Sequence, residues 1–551
     1  MRHLIVLAGL TLGAIGVAEA ADDRQLADAV AGRYQACGDR ASLILPLARS
    51  GLDLVPLYAN GYETQTVAGS PFDEQELDVR LREPQDLRAQ LDAYLACETP
   101  IMRLSQGQAL LAAAATEAHA GSAMVAFYQH GWSVGADELR GRDGVDGVAD
   151  LSGGTLAVGP HAAGLDLLAE ATRTGREQAG DAWEAPTIVM TDDASGGAGD
   201  TPERRLAADG EVDAALVASD ASGDEPALLS TQSASRAVSG IYVVRQDYLE
   251  AHRDEIERLV TALFNAEEQV REDVTTQIVD WSTVAAHLLD DPEAGETART
   301  LWRQVETVGV QGNVDWSRQD GGLRSFPRLN EEIAGELQAV GLLSDRPSLA
   351  LAEMDYGALA EGVFDQRRAE LSSFDPEAAR ALLSEQRQTG DIDGQTLVKF
   401  EIHFRPDQDR FPAREYAEDF AEVMDTAQRY GGALLTIEGH ADPSLFLQRR
   451  SAGIPERLLE QHRENLQALS EARAASVRQS VLAFADDHDV RLDASQLVSE
   501  GLGISDPATG LCDGEPCPVS TAEERADNRR VVFRVVEIEA ESEAFTPPTT
   551  W

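Results

Sequence analysis

Asn465-Leu466-Gln467-Ala468-Leu469-Ser470-Glu471-Ala472-Arg473-Ala474-Ala475-Ser476-Val477 is the stretch around which this chain is organised. It reads N-x-x-x-L-S-x-x-R-A-x-x-V, follows a Gly439-His440-Ala441-Asp442 turn and precedes Asp527-Asn528-Arg529-Arg530-Val531. Three motifs in a fixed order specify a domain far more strongly than any one of them. Upstream, apolar residues alternate strictly from Val398 to Phe404, the pattern of a half-buried strand. Tyr416, Phe420, Val423, Met424 and Ala427 then fall on one helical face. Leu434 to Ile437 is expected as the next strand, the quoted stretch as a helix, and Val531 to Ile538 as the strand that closes the sheet. Strands joined through crossover helices predict a small α/β sandwich over residues 396–540.

The three motifs resemble the OmpA-like peptidoglycan-binding domain. That family recognises diaminopimelate, which presents a carboxylate and an ammonium side by side. A receptor therefore needs one cation and one anion at fixed separation, and arginine grips a carboxylate with two parallel hydrogen bonds. The resemblance implies that Asp442 takes the ammonium and Arg473 the carboxylate. Asp407, in the loop Phe404-Arg405-Pro406-Asp407, would assist, and Asn528 and Arg530 would brace the site. The bland alternative is that Asp442 and Arg473 pair with each other at the surface, worth only ~0–1 kcal/mol. The chain departs from the family at three places. Ala441 replaces the usual Thr, an insertion spans Leu447 to Arg463, and Glu524 stands where a glycine usually precedes Arg525.

Residues 21–365 alternate short apolar runs with amphipathic helical patterns, as an α/β domain should. Strands are expected at Ser122 to Tyr128, Thr155 to Val158, Thr187 to Met190, Ala214 to Ala218 and Ile241 to Val244. Ile256, Leu259, Val260, Leu263 and Phe264 mark a helix, and a second runs through Leu337 and Val340 to end near Gly341. The segments Gly131 to Leu139, Asp150 to His161, Gly210 to Ala215 and Tyr242 to Arg245 resemble periplasmic substrate-binding proteins of the nitrate/taurine type, which are phosphate ABC transporter-like. The resemblance implies a two-lobed domain that holds a small polar or anionic solute. Strands that end in small residues and run into helix N-termini aim backbone N–H groups at a cleft. On that ground Ser133, Gly159, His161, Thr191 and Ser195 are the candidate ligand-binding residues; a surface loop is the alternative for His161.

Gly131-Trp132-Ser133-Val134-Gly135 also matches G-x-S-x-G, the nucleophile elbow of α/β-hydrolases. That elbow needs a helix directly after the serine. Ala136 to Gly147 is polar, carries three glycines and lacks an apolar face, so a Ser133 esterase is the weaker reading. No cofactor and no metal site are expected, since the ten histidines are scattered and ligand spacings are absent.

The formal charge is −50, from 96 acidic and 46 basic residues, and Lys399 is the single lysine. Such a field repels nucleic acid and anionic lipid, so nucleic-acid binding is excluded. It would also slow capture of an anion unless salt screens it. Arg2 and His3, an apolar run from Leu4 to Val17, and Ala18-Glu19-Ala20 read as a secretory signal over residues 1–20. In an exported chain four cysteines suggest disulfides. Cys512 and Cys517 are expected to pair locally and Cys37 with Cys97, although sequence leaves other pairings open. Residues 366–395 read as a polar linker and 541–551 as a loose tail.

The sequence thus leads to an exported, non-catalytic protein of a Gram-negative periplasm and cell wall, with two binding domains. Its expected partners are peptidoglycan, a small polar or anionic solute, and an inner-membrane permease or envelope complex. A structural wall scaffold, with protein partners on the first domain, is the alternative.

Overall fold

The computed structural model describes residues 23–37, 43–83, 87–118, 120–159, 164–191, 201–208, 210, 212–219, 226–318, 324–361, 396–406, 408–430, 433–488, 490, 492, 496–512 and 514–536. The leader 1–20, the linker 366–395, the tail 541–551, His161, Ser195 and Asp407 lie outside them.

The first lobe is built from β1 (Leu43–Pro46), β2 (Val79–Arg82), β3 (Ile101–Ser105) and β4 (Met124–Ser133). The second lobe holds β5 (Asp137–Gly141), β6 (Thr155–Val158), β7 (Thr187–Met190), β8 (Ala214–Ala218) and β9 (Ala227–Ser230) in the order β7-β6-β8-β5-β9. The chain then returns to the first lobe as β10 (Ser239–Arg245), which lies between β3 and β4 and is antiparallel to both. Two late strands, β11 (Val305–Thr307) and β12 (Ala350–Leu351), also pair with β4. β1 and β2 pair in parallel, and β1 packs beside β3. Every residue of β3 and β10 is buried, so the middle of β10 reads as an apolar run, while β3 buries Arg103 and Ser105 among its apolar residues.

Two segments cross between the lobes, Val134–Ala136 outward and residues 231–238 on the return. This is the two-lobed arrangement that the resemblance to substrate-binding proteins implies. The strands expected at β6, β7 and β8 have the expected bounds. That expected at Ser122 starts instead at Met124 and runs on to Ser133, because its far end carries the pairing with β11. Helix Arg253–Thr275 buries Ile256, Leu259, Val260, Leu263 and Phe264 against the first lobe.

The third sheet contains β13 (Thr396–His403), β14 (Leu434–His440), β15 (Leu497–Gly503) and β18 (Arg530–Val536). A short hairpin, β16 (Leu511–Cys512) with β17 (Glu515–Pro516), is spanned by the Cys512–Cys517 disulfide; Cys37 pairs with Cys97. The last strand does not close the sheet at an edge. It inserts between β13 and β14, antiparallel to each, and β15, which the apolar pattern did not single out, takes the edge parallel to β14. Helices Ala417–Arg429 and Glu456–Asp487 cover one face, with Phe420, Val423, Met424, Val477 and Val481 in the core.

Helix Ala417–Arg429 also docks on the lobes. Arg328 donates to Asp425 at 3.1 Å, and Arg429 pairs with Asp425 at 3.1 Å and with Glu170 of the second lobe at 4.0 Å. The Arg236 N–H, in the returning crossing segment, donates to the Arg429 carbonyl at 3.1 Å. Among the described residues no helix is long and apolar enough to cross a membrane.

Candidate functional site

The cleft is assembled where the two crossing segments pass each other. Ser133 ends β4, Gly135 turns the chain with φ of 93°, and β5 follows at once. A strand rather than a helix comes after Ser133, so the elbow required of a hydrolase nucleophile is not formed. The Ser133 hydroxyl donates to Asp137 at 2.6 Å and lies 3.1 Å from the Thr231 hydroxyl. Thr231 in turn accepts from the Gly135 and Asp137 N–H groups at 3.0 Å each. Gln304 donates to the Gly135 carbonyl and to Ser219, which ties the outward segment to the end of β8.

Across this hinge the N-termini of two helices meet. Helix Gln106–Thr116 of the first lobe begins after β3, and helix Leu165–Ala179 of the second lobe begins after β6. At Gly107 the two helices approach closely, and a Cβ there would stand 3.0 Å from the Leu165 Cβ, so a larger residue would push the helix starts apart by a few tenths of an ångström. Asp166 reaches from the second lobe into the first, and its Oδ1 accepts from the Gly107 N–H at 2.9 Å. Only 2 % of Asp166 is exposed, and its Oδ2 has no hydrogen-bond partner. Burial pushes this carboxyl up to about 7; the Ser105 hydroxyl and the Gly107 N–H pull it back, and the neighbouring Asp137 charge pushes it further. Burial also raises Asp137, offset in part by the Ser133 hydroxyl.

Gly159 and Thr191 sit side by side at the ends of β6 and β7, a Gly159 Cβ lying 3.8 Å from the Thr191 Oγ1. The structure therefore brings Ser133 together with Thr231 and Asp137, Gly159 with Thr191, and Asp166 with Gly107. Sequence reasoning missed Asp137, Asp166 and Thr231. An aspartate among Leu165, Leu167 and Leu168 in the first turn of this helix was the available signal for Asp166.

The second site lies at one end of the third sheet. Gly439 lets the motif helix touch β14, because any Cβ there would collide with the Ser470 carbonyl. Ser470 fixes that contact by accepting from the Gly503 N–H at 2.9 Å. One turn on, Arg473 is 1 % exposed. Its guanidinium donates to the carbonyls of Gln408 (2.9 Å) and His440 (3.0 Å) and lies 5.2 Å from the Phe404 ring centroid. Asp442 does not pair with Arg473 as a surface salt bridge. Its Oδ1 accepts from the Ser444 N–H at 2.9 Å, and its Oδ2 lies 3.6 Å from Arg529, the two side chains being 18 % and 15 % exposed.

Arg529 is held by the Phe404 carbonyl at 3.1 Å, whereas Arg530 is turned towards Glu401 and Asp506 at 3.5 and 3.9 Å. Asn528 is buried and donates to the Glu524 carbonyl and to Thr509. The inserted stretch is helical. Helix Ser444–Ser451 and the first turns of Glu456–Asp487 bring Phe446 and Leu459 onto Ala441 and Ile504. The alanine and the insertion are thus one feature, an apolar cluster beside Asp442.

Among the described residues no group of three or more His, Cys, Asp or Glu could hold a metal ion. No family model and no curated protein matches the chain. Among solved structures it is similar to the alkanesulfonate-binding protein SsuA from Xanthomonas axonopodis pv. citri bound to MOPS. That match is 15 % identical with a TM-score of 0.37, and covers 57 % of this chain and 100 % of that one. The periplasmic aliphatic sulphonate binding protein SsuA from Escherichia coli matches at 13 % identity with a TM-score of 0.38, over 56 % of this chain and 96 % of that one. The OmpA-like domain of FopA1 from Francisella tularensis matches at 17 % identity with a TM-score of 0.17, over 25 % of this chain and 75 % of that one.

Proposed function

We propose that this is a non-catalytic envelope protein that binds peptidoglycan through its third sheet and a small polar solute between its two lobes. The leader, the linker 366–395 and the two binding regions over 21–365 and 396–540 together make a receptor held at the cell wall, facing an inner-membrane permease or an envelope complex.

The observation that carries this reading is the grouping at the ends of β13, β14 and β18. Asp442 and Arg529 stand 3.6 Å apart at a partly open rim, and the buried Arg473 reaches the same Phe404 that holds Arg529. A carboxylate beside a guanidinium is the complement of the ammonium and carboxylate of diaminopimelate. Asp442 would take the ammonium. Arg529 is the more open of the two guanidiniums, while Arg473 would act from below the Phe404 ring.

The test is co-sedimentation of the full chain with purified sacculi. Binding by wild type that is lost in Asp442→Asn supports the reading. Equal sedimentation of wild type, Asp442→Asn and Arg529→Ala would overturn the site.

A second reading, a wall scaffold without a solute, is favoured by one contact. The Asp166 carboxylate already occupies the N-terminus of helix Gln106–Thr116, where a bound anion would sit. A flat thermal-shift panel on the folded full chain would favour the scaffold.

A further inference from the structure

We propose that the first lobe carries a seat for an α-amino acid, whose carboxylate is held by Arg103 and whose ammonium is held by Asp53. It rests on the reading of the two lobes as a solute receptor and narrows the solute class.

The seat is built on one face of the first lobe's sheet. Arg103 on β3 is the register partner of Tyr242 on β10, so the two side chains stand next to each other. The Arg103 guanidinium lies across Gly240, its Nη1 2.6 Å and its Cζ 3.1 Å from where a Cβ would stand. The His130 ring meets the Tyr242 ring edge-on, with centroids 4.1 Å apart. Gly240 pairs with Gly131 of β4, and Leu52 rests on Gly131 with its Cδ2 2.8 Å from the Cβ position. The paired glycines thus leave a bare floor with Arg103 on one side and Asp53, the residue after Leu52, on the other. They lie where β4 leaves for the second lobe and β10 returns from it.

The polar atoms around this floor are not satisfied. Asp53 Oδ1, Arg103 Nε, His130 Nε2 and the Tyr242 hydroxyl are buried without hydrogen-bond partners, in residues only 0–7 % exposed. The other Asp53 oxygen accepts from the Ala48 and Ser50 N–H groups at 2.8 and 3.0 Å. Native proteins seldom leave one buried polar atom bare, and several together mark a place that another group completes. Burial raises the Asp53 carboxyl and the Arg103 charge pulls it back, yet Oδ1 stays unbonded. A buried carboxylate and guanidinium that do not bond each other need a mediator carrying both charges.

An α-amino acid is such a mediator. Its carboxylate accepts from Arg103 and from the Tyr242 hydroxyl, and its ammonium donates to Asp53 Oδ1. Burial and the Arg103 charge keep His130 neutral, so it offers Nε2 without adding a second cation. Being neutral overall, the zwitterion also approaches a chain of charge −50 without the repulsion that meets an anion.

The test is isothermal titration of the full chain with each common α-amino acid, and with acetate and methylamine, which carry one half of the zwitterion each. Saturable one-to-one binding of an amino acid is expected, about tenfold or more tighter than either half, and weakened about tenfold or more in Arg103→Met and Asp53→Asn. Tyr242→Phe keeps the ring packing and removes only the unbonded hydroxyl, so it serves if the charge variants fail to fold; it is expected to bind severalfold more weakly. Amino-acid affinity equal to wild type in these variants would place the ligand elsewhere and overturn the seat. Acetate binding as tightly as any amino acid would overturn the class. Binding of no amino acid by the folded chain would overturn the proposal, whereas the receptor reading falls only if the wider thermal-shift panel is flat as well.

Discussion

Asp166 of the second lobe accepts a hydrogen bond from the Gly107 N–H of the first lobe at 2.9 Å, and this contact ties the two lobes together. Its strength follows pH in a definite direction. Burial holds the carboxyl at about 7 in the folded chain, above its value of 3.8 in an open one. The folded chain therefore keeps a proton that the unfolded chain has released. Stability linked to this group is complete below the unfolded value and is lost as pH rises through about 7, by at most ~1.4 kcal/mol per pH unit. Asp166→Asn is expected to flatten the slope of unfolding free energy between about pH 4 and about pH 7. Urea melts of both chains across that range check it, read as the difference between them, because Asp425, raised to about 6, titrates in the same window.

Arg473 and Asp442 should separate in their effects. Arg473→Ala leaves the carbonyls of Gln408 and His440 without a donor in a buried place, and is expected to cost about 2–4 kcal/mol of stability. Asp442→Asn keeps a carbonyl oxygen for the Ser444 N–H, and is expected to change stability by less than about 1 kcal/mol while abolishing sedimentation with sacculi. Thermal melts run beside the sedimentation assay distinguish the two effects.

The apolar cluster built by the insertion has its own signature. Phe446 is fully enclosed by Ala441, Leu459 and Ile504, so Phe446→Ala is expected to destabilise by about 3 kcal/mol. Hydrogen exchange would show whether the loss is local to helix Ser444–Ser451, the expected outcome for a satellite cluster.

Docking of the third domain rests on a half-buried ion network. Asp425→Ala leaves Arg328 and Arg429 short of a partner and is expected to weaken docking by about 1–3 kcal/mol. Small-angle scattering of the full chain measures it, with a larger radius of gyration expected in the variant.

The third domain was legible because its contacts are local in sequence pattern. Ser470 and Arg473 lie one helical turn apart, and the motif keeps that spacing even though the insertion lengthens the chain between them and Gly439. The distinction between Arg529 and Arg530 was not legible, since both follow Asn528 and only the pairing of His403 with Arg530 decides which side chain faces Asp442. Strand order was likewise hidden. Val531 reads as a strand in any position, and its insertion between β13 and β14 depends on long-range pairing. In the cleft, Ser133 was singled out for a motif that the turn at Gly135 does not complete. Asp166 passed as an ordinary first-turn residue, because its meaning comes from Gly107, 59 positions earlier, and no periodicity carries that information. The Cys512–Cys517 disulfide followed from spacing, whereas Cys37–Cys97 was the pair left over among pairings that the sequence kept open.

The hydrogen bond from Arg236 to Arg429 joins the third domain to the segment by which the chain returns from the second lobe to the first. With the Arg429–Glu170 and Arg328–Asp425 pairs, the third domain touches the returning segment, the second lobe and helix Phe326–Ala339 at once, so any turn of one lobe against the other has to carry that domain along or break one of these contacts.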